Sequence, residues 1–234
     1  MTSRRRIKRS RKSPAVAVGI EAASDDFTRL TYRFRQRNVY PYLKRKGLRA
    51  VVLSRTAAMK SRAAPAARRS GVAYLTGSGH GSRDAFTGYH MQDIFHVGDS
   101  VSSGKMAHFL SCFTAQDLGP DFVRHGCRAY FGYADEFAWN GQTNPAPYLW
   151  CDAEIDRALA DGETAEGALN RALKKFNQSI NTLGLVRGKT AAAGMLMTIR
   201  NHLLGPSNDP RLGNPRARLR RVRARAMAPG RRRR

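Results

Sequence analysis

The sequence predicts an α/β fold in which helices cover both faces of a central, mainly parallel β-sheet, a three-layer sandwich. Short apolar runs stop abruptly at Gly, Ser or a polar side chain, as is typical of strands buried on both faces of a parallel sheet. Helical patterns separate the first three runs, and this order predicts parallel strands joined by right-handed crossovers. A chain of 234 residues is long enough for one domain with a full hydrophobic core.

The first half of the chain alternates strand and helix three times. Ser24, Asp25 and Asp26 supply acceptors that cap the first helix, and Pro41 interrupts that helix. The predicted elements are a strand at 15–20, a helix at about 27–46, a strand at 50–53, an Ala-rich helix at 55–69 broken near Pro65, and a strand at 71–75.

The second half begins with a segment rich in Gly, Ser and Asp at 83–104. This composition predicts a loop with a small hairpin over the carboxyl edge of the sheet, where loops build binding clefts in α/β folds. The further predicted elements are a strand from Lys105 that ends before Cys112, a helix at 114–125 closed by Gly126, a strand at 127–133, and core helices within 152–204.

Two reactive side chains follow predicted strands. His80 comes after the third strand, and Cys112 comes after the next central one. Neighbouring strands lie about 4.8 Å apart, so both side chains can meet at the carboxyl edge as a cysteine nucleophile and its base. A buried core cysteine and a structural histidine are the alternative, but Gly79 and Gly81 leave the imidazole uncovered.

The segments Thr-Gly-Ser-Gly-His80-Gly-Ser and Phe-Leu-Ser-Cys112-Phe-Thr-Ala resemble the His-Gly and Cys blocks of caspase-like cysteine peptidases, nearest to the gingipain and clostripain branch. The resemblance covers about Ala15 to about Leu204. It implies a caspase-like fold, a cysteine endopeptidase with a His80–Cys112 dyad, and a protein or peptide substrate. It also implies that the backbone N–H groups of Gly81 and Cys112 hold the oxyanion.

Cys112 needs activation, because a free thiol has a pKa of about 8.5. His80 is the predicted proton acceptor. The helix predicted to follow Cys112 adds N-terminal N–H groups that favour a thiolate at that point.

Members of the gingipain and clostripain branch prefer a basic residue before the cut, which requires an acidic pocket. Four acids lie in loops expected at the carboxyl edge, and they are the pocket candidates: Asp84, Asp99, Asp135 and Glu136. The alternative is that they form an ordinary solvated loop surface.

The sequence predicts no metal and no cofactor. The histidines other than His80 form no zinc-ligand spacing with one another or with cysteine. The glycines around His80 fail the dinucleotide fingerprint, because Ser82 stands where its third glycine belongs.

Basic residues are concentrated at the ends. The chain has 42 Lys and Arg against 17 Asp and Glu, a net charge of +25. Seven of these bases lie in 1–12 and ten in 216–234, with no acid in either. We therefore predict a caspase-like domain at 14–205 between disordered basic tails at 1–13 and 206–234, which bind polyanions such as nucleic acid without sequence preference.

Three cysteines, an odd number, argue against a disulfide framework. Cys127 is expected in the core, and Cys151 is expected to have no special role. No signal peptide and no transmembrane run is recognisable, so a reducing, cytoplasmic location is predicted.

The sequence leaves three alternatives to a cysteine endopeptidase open. The protein could be a catalytically silent caspase-like protein that regulates or binds others, because a fold does not fix a function. It could be a nucleic-acid-binding protein that acts through its tails. It could also transfer acyl groups from a substrate that is not a peptide.

Overall fold

The computed structural model describes residues 14–139 and 144–219. Strand and helix alternate at first as predicted. Asp25 caps the first helix by accepting a hydrogen bond from the Thr28 N–H, and Pro41 lies in the first turn of the second helix. The elements are β1 (Val16–Glu21), α1 (Asp26–Asn38), α2 (Tyr40–Arg45), β2 (Arg49–Ser54), α3 (Lys60–Arg68) and β3 (Val72–Ser78).

The second half opens with an antiparallel hairpin, which confirms the small hairpin predicted within 83–104. Three long helices then follow the last parallel strand. The elements are β4 (Ala85–Thr87), β5 (Asp93–His96), β6 (Met106–Leu110), α4 (Leu118–Arg124), β7 (Ala129–Tyr133), α5 (Ala146–Asp161), α6 (Ala165–Gly184), α7 (Thr190–His202) and β8 (Leu203–Leu204).

The six-stranded sheet has the order β2-β1-β3-β6-β7-β8. All neighbours pair in parallel except β7 and β8. Side chains alternate between two cores: Met106 and Leu110 of β6 belong to the core that includes α5, α6 and α7, whereas Ala107 and Phe109 face the core that includes α3, α4 and the hairpin. The predicted sandwich with a mainly parallel sheet is confirmed.

The helix predicted at 114–125 begins only at Leu118, so the helix terminus expected directly after Cys112 is wrong. The intervening backbone bonds to the chain that leaves β7. The Phe113 N–H donates to the Asp135 carbonyl (3.3 Å), and the Ala115 N–H donates to the Tyr133 carbonyl (3.1 Å). These N–H groups therefore do not form a helix N-terminus beside the sulfur.

The domain extends beyond the predicted boundary at 205. Leu212, Ala217 and Leu219 are buried. The Ala165 N–H at the start of α6 donates to the Ala217 carbonyl at 2.8 Å. Assigning 206–219 to a tail was wrong, because a few apolar residues in a basic segment suffice to anchor it. The tails predicted at 1–13 and 220–234 lie outside the described residues.

Within the described residues, no helix is both long enough and apolar enough to cross a bilayer.

Candidate active site

His80 and Cys112 lie at the carboxyl ends of adjacent parallel strands. Ser78 of β3 is paired with Leu110 of β6, and each reactive residue stands two positions further along. The Gly79 N–H donates to the Leu110 carbonyl at 3.2 Å. The sheet register therefore brings together the two blocks that the sequence singled out.

Gly81 fits closely against the Cys112 segment. A Cβ atom built on Gly81 would lie 2.8 Å from the Cys112 carbonyl oxygen and would collide with the Ser111 hydroxyl. Only glycine leaves room for this approach. In the described part of the chain, no backbone carbonyl accepts the N–H of Gly81 or of Cys112.

Asp25 is a third member of the site. Its Oδ2 lies 2.8 Å from Nε2 of His80, while its Oδ1 accepts the Thr28 N–H that caps α1 (2.9 Å). Partial burial opposes ionisation, but the Thr28 N–H and His80 lower the pKa of Asp25 below its usual value. A carboxylate can only accept a hydrogen bond, so Nε2 carries a proton in this contact.

The sequence indicated only a helix-capping role for Asp25. The signal that could have found it is its place after β1, at the same sheet edge as His80. No motif marks a carboxylate 55 positions from its histidine.

Cys112 is half-buried, and the residue after it, Phe113, has a left-handed backbone (φ 62°). Such conformations cost energy and cluster at functional sites. The sulfur accepts the Phe137 N–H at 3.4 Å. Burial raises the pKa of Cys112, the Phe137 N–H opposes this, and the charges of Glu136 and Asp135 raise it further. The resting sulfur is a thiol, so it needs a base.

An aromatic surface borders His80. Phe27 stacks on Trp139 with ring centroids 4.3 Å apart, and its centroid lies 6.1 Å from that of His80. Phe27 and Trp139 are both partly exposed. No local sequence pattern marks this surface, because the two rings are far apart in the chain.

The four acidic pocket candidates separate into two groups. Asp135 and Glu136 are exposed and lie close enough to Cys112 for their charges to act on it. Asp84 instead bonds to Ser82 and to His96 of the hairpin. Asp99 pairs with Lys60 at 3.0 Å.

A second charged cluster is buried beneath the site. His108 is fully buried, with Nε2 3.1 Å from Asp152 and Nδ1 3.2 Å from Asp156. Arg35 of α1 pairs with Asp156 at 3.0 Å and with Glu21 at 2.9 Å. Sequence spacing gave no sign of this network, because tertiary packing alone brings α1, α5 and β6 together.

The network does not have the form of a metal site. His108, Asp152 and Asp156 are close enough to hold an ion, yet both ring nitrogens of His108 face carboxylates. Burial opposes protonation, but the two carboxylates raise the pKa of His108 to about 9. A protonated imidazole has no lone pair for a metal, and Arg35 already neutralises part of the acidic charge.

The fold is similar to that of two solved proteases. The Arg-specific cysteine proteinase gingipain R has a similar structure, with a TM-score of 0.53 and 12% identity over 90% of this chain and 48% of that one. A solved protease is similar with a TM-score of 0.58 and 12% identity, over 91% and 50%. The chain thus spans about half the length of either structure. No protein-family model and no curated protein matches it.

Proposed function

We propose that this protein is a cysteine endopeptidase that hydrolyses peptide bonds through Cys112, His80 and Asp25. The observation that carries the proposal is the 2.8 Å contact between Asp25 and Nε2 of His80, at the strand end next to a half-buried thiol. A nucleophile, a base and a group that orients the base are the parts required for acyl transfer.

The reaction follows from this arrangement. Nδ1 of His80 takes the thiol proton as the sulfur of Cys112 attacks the peptide carbonyl carbon. The backbone N–H groups of Gly81 and Cys112 stabilise the oxyanion. Collapse of the tetrahedral intermediate breaks the C–N bond, and His80 returns its proton to the leaving amine. Water then attacks the thioester with His80 as base, which releases the acid and restores the thiol.

Asp25 serves both steps by holding the ring. Its carboxylate keeps Nε2 protonated and Nδ1 free, and it compensates the positive charge that the imidazole gains with the thiol proton. The general base is essential here, because burial raises the pKa of Cys112.

We propose cleavage after Arg or Lys. Asp135 and Glu136 offer carboxylates near Cys112. Trp139 offers an aromatic face, because it stacks on Phe27, which in turn lies against His80. The guanidinium of a substrate arginine can pair with these carboxylates and stack on the indole ring of Trp139. The similar gingipain R is Arg-specific. Asp84 contributes less to this pocket because it bonds to His96 of the β4–β5 hairpin. Asp99 contributes less because it pairs with Lys60.

A catalytically silent regulatory protein is the second candidate. The raised pKa of Cys112 favours it, because an unactivated thiol serves a binding site as well as a catalytic one. The two candidates differ in whether any peptide is cut.

The test is cleavage of a diverse peptide library, with the cut sites read by mass spectrometry. Wild type should cut after Arg or Lys, Cys112→Ala should not cut, and His80→Ala should lose about 10²–10⁴-fold in rate. Asp25→Asn keeps a good helix cap but removes the charge, so kcat should fall about 10²-fold or more with little change in melting temperature. Asp26→Asn is the matched control, because the ion pair that Asp26 makes within the described residues, with Arg29, lies at the surface.

Full activity of Asp25→Asn would remove Asp25 from the mechanism. Cuts after acidic or apolar residues would contradict the proposed preference for Arg and Lys but would still support a peptidase. No cleavage of any peptide by a folded wild type would favour the regulatory candidate.

A further inference from the structure

Helices α6 and α7 form a helical hairpin, which is distinct from the β4–β5 hairpin, and the turn that joins them is exposed to solvent. Residues 184–191 are eight consecutive exposed positions with the sequence Gly-Leu-Val-Arg-Gly-Lys-Thr-Ala, here called the hairpin tip. Leu185 is 89% exposed and Val186 is 46% exposed. Turns usually carry polar residues and glycine, so two adjacent exposed aliphatic side chains at this place require an explanation.

The apolar face of α6 continues beyond the core to the tip. Leu169 and Phe176 are fully buried, and Ile180 and Leu183 follow at helical spacing, partly buried against the same core. Val186 comes three residues after Leu183, just past the end of α6, and continues this face, whereas Leu185 lies on another side with most of its side chain in solvent. An apolar surface thus extends past the part of the helix that the domain covers.

From residue 167 onward, the same pair of helices carries positive charge without acids. No Asp or Glu occurs between Glu166 and Asp209, a segment with six Lys or Arg. Arg171 is engaged by acids of α5 and of the turn that follows it, and Arg200 bonds to Asn177. The other four bases have no ion-pair partner among the described residues: Lys174, Lys175, Arg187 and Lys189.

We propose that the hairpin tip docks on the surface of an anionic phospholipid bilayer. Leu185 and Val186 enter the boundary between headgroups and acyl chains, and Arg187 and Lys189 contact the lipid phosphates. Apolar side chains bordered by bases are the composition that binds anionic membrane interfaces. The hairpin rests on the bilayer and does not cross it.

Other partners fit the tip less well. A nucleic acid would take the charge but leave Leu185 in water. A second copy docking tip to tip would cover Leu185 but would bring Arg187 and Lys189 against their own copies, and like charges repel. A bilayer with anionic headgroups satisfies both the apolar and the basic side chains.

The first experiment separates apolar insertion from attraction by charge. Full-length protein is sedimented with vesicles of phosphatidylcholine and phosphatidylserine. The double variant Leu185→Ser/Val186→Ser keeps every charge, and we expect it to bind at least about tenfold more weakly, because two aliphatic side chains no longer leave water. Leu30→Ser on α1 is the matched control, since Leu30 is 41% exposed, and its binding should equal that of wild type.

A second pair of variants tests the bases. Arg187→Gln/Lys189→Gln should weaken vesicle binding about 30-fold, since each base near an anionic surface contributes a factor of about five. Arg33→Gln/Arg37→Gln on the exposed side of α1 changes the net charge equally and should have a much smaller effect. Circular dichroism melting checks that all variants remain folded.

Fluorescence reports whether the tip enters the lipid. Leu185→Trp should shift its emission to the blue on anionic vesicles and be quenched by brominated acyl chains, relative to wild type. Leu30→Trp should show neither change.

Three outcomes would overturn the proposal. One is that serine at the tip leaves vesicle binding unchanged, or that wild type does not bind anionic vesicles. Another is that the serine variant loses DNA binding by the same factor, which would indicate a general polyanion site. The third is that wild type is a dimer which the serine variant dissociates while vesicle binding persists, which would assign the tip to a second copy.

Discussion

His108 gives the fold a pH dependence that unfolding experiments can measure. Its ring lies between Asp152 and Asp156 with no exposed surface. The hydroxyls of Tyr133, Tyr74 and Thr76 also donate to these carboxylates. The protonated ring is therefore part of a satisfied network, whereas a neutral ring would leave one nitrogen facing a carboxylate without a proton between them.

The magnitude follows from the difference between two pKa values. The pKa of His108 is about 9 in the folded protein, against 6.5 for an ordinary histidine. A raised folded pKa stabilises the protein fully below the unfolded value, and this contribution is lost as pH rises through the folded value. The free energy of unfolding should therefore fall by about 3 kcal/mol between pH 6.5 and pH 9.

The assay is urea unfolding at a series of pH values from 6 to about 9.5. His108→Asn should lower the free energy of unfolding by about 3–5 kcal/mol at pH 6, because it leaves buried carboxylates without their partner. The variant should also lose the downward slope between pH 6.5 and about 8, below the range in which the buried thiols, whose pKa values are raised, add a slope of their own. The control is His90→Asn, an exposed position with a left-handed backbone (φ 54°) that asparagine tolerates.

Parallel pH profiles for wild type and His108→Asn would refute the reasoning, because the slope would then arise elsewhere. If the variant is too unstable to purify, the wild-type profile still decides. A free energy of unfolding that stays level or rises from pH 6.5 to 9 would mean that His108 is not a protonated group of the folded state.

Three further predictions concern the site and the domain boundary. Gly81→Ala should abolish peptide cleavage, because its Cβ collides with the Cys112 segment, and activity in this variant would contradict the close approach. An electrophilic thiol probe should label half-buried Cys112 before Cys127, whose pKa burial raises to about 12; labelling should speed up with pH, and equal rates would argue against an accessible nucleophile. Truncation after Leu219 should leave the melting temperature nearly unchanged, whereas truncation after Gly205 should lower it, because the latter removes buried Leu212; equal melting temperatures would return 206–219 to the tail.

The strands were predictable, because local patterns specify them. Apolar runs closed by glycine or serine correspond to β1, β3 and β7, and their burial on both faces explains why strict alternation is missing. The turn after Cys112 was not predictable. Its N–H groups bond to the chain beyond β7, and a nonlocal partner leaves no local pattern.

The candidate site divides in the same way. The position of His80, Gly81 and Cys112 at one sheet edge could be predicted from sequence, because each lies just past the end of a strand. Asp25 and the aromatic pair Phe27 and Trp139 could not. Their contacts with the site depend on where α1 and the chain beyond β7 lie in space.

The sequence by itself determined the α/β class and the two blocks that carry the reactive side chains, because strand periodicity and glycine placement are local properties. Only the tertiary structure decided which carboxylate orients His80, that burial raises the pKa of Cys112, and that His108 lies between two buried acids. Those properties depend on distances and on exclusion of water between residues far apart in the chain, and both arise only when the sheet and its helices pack together.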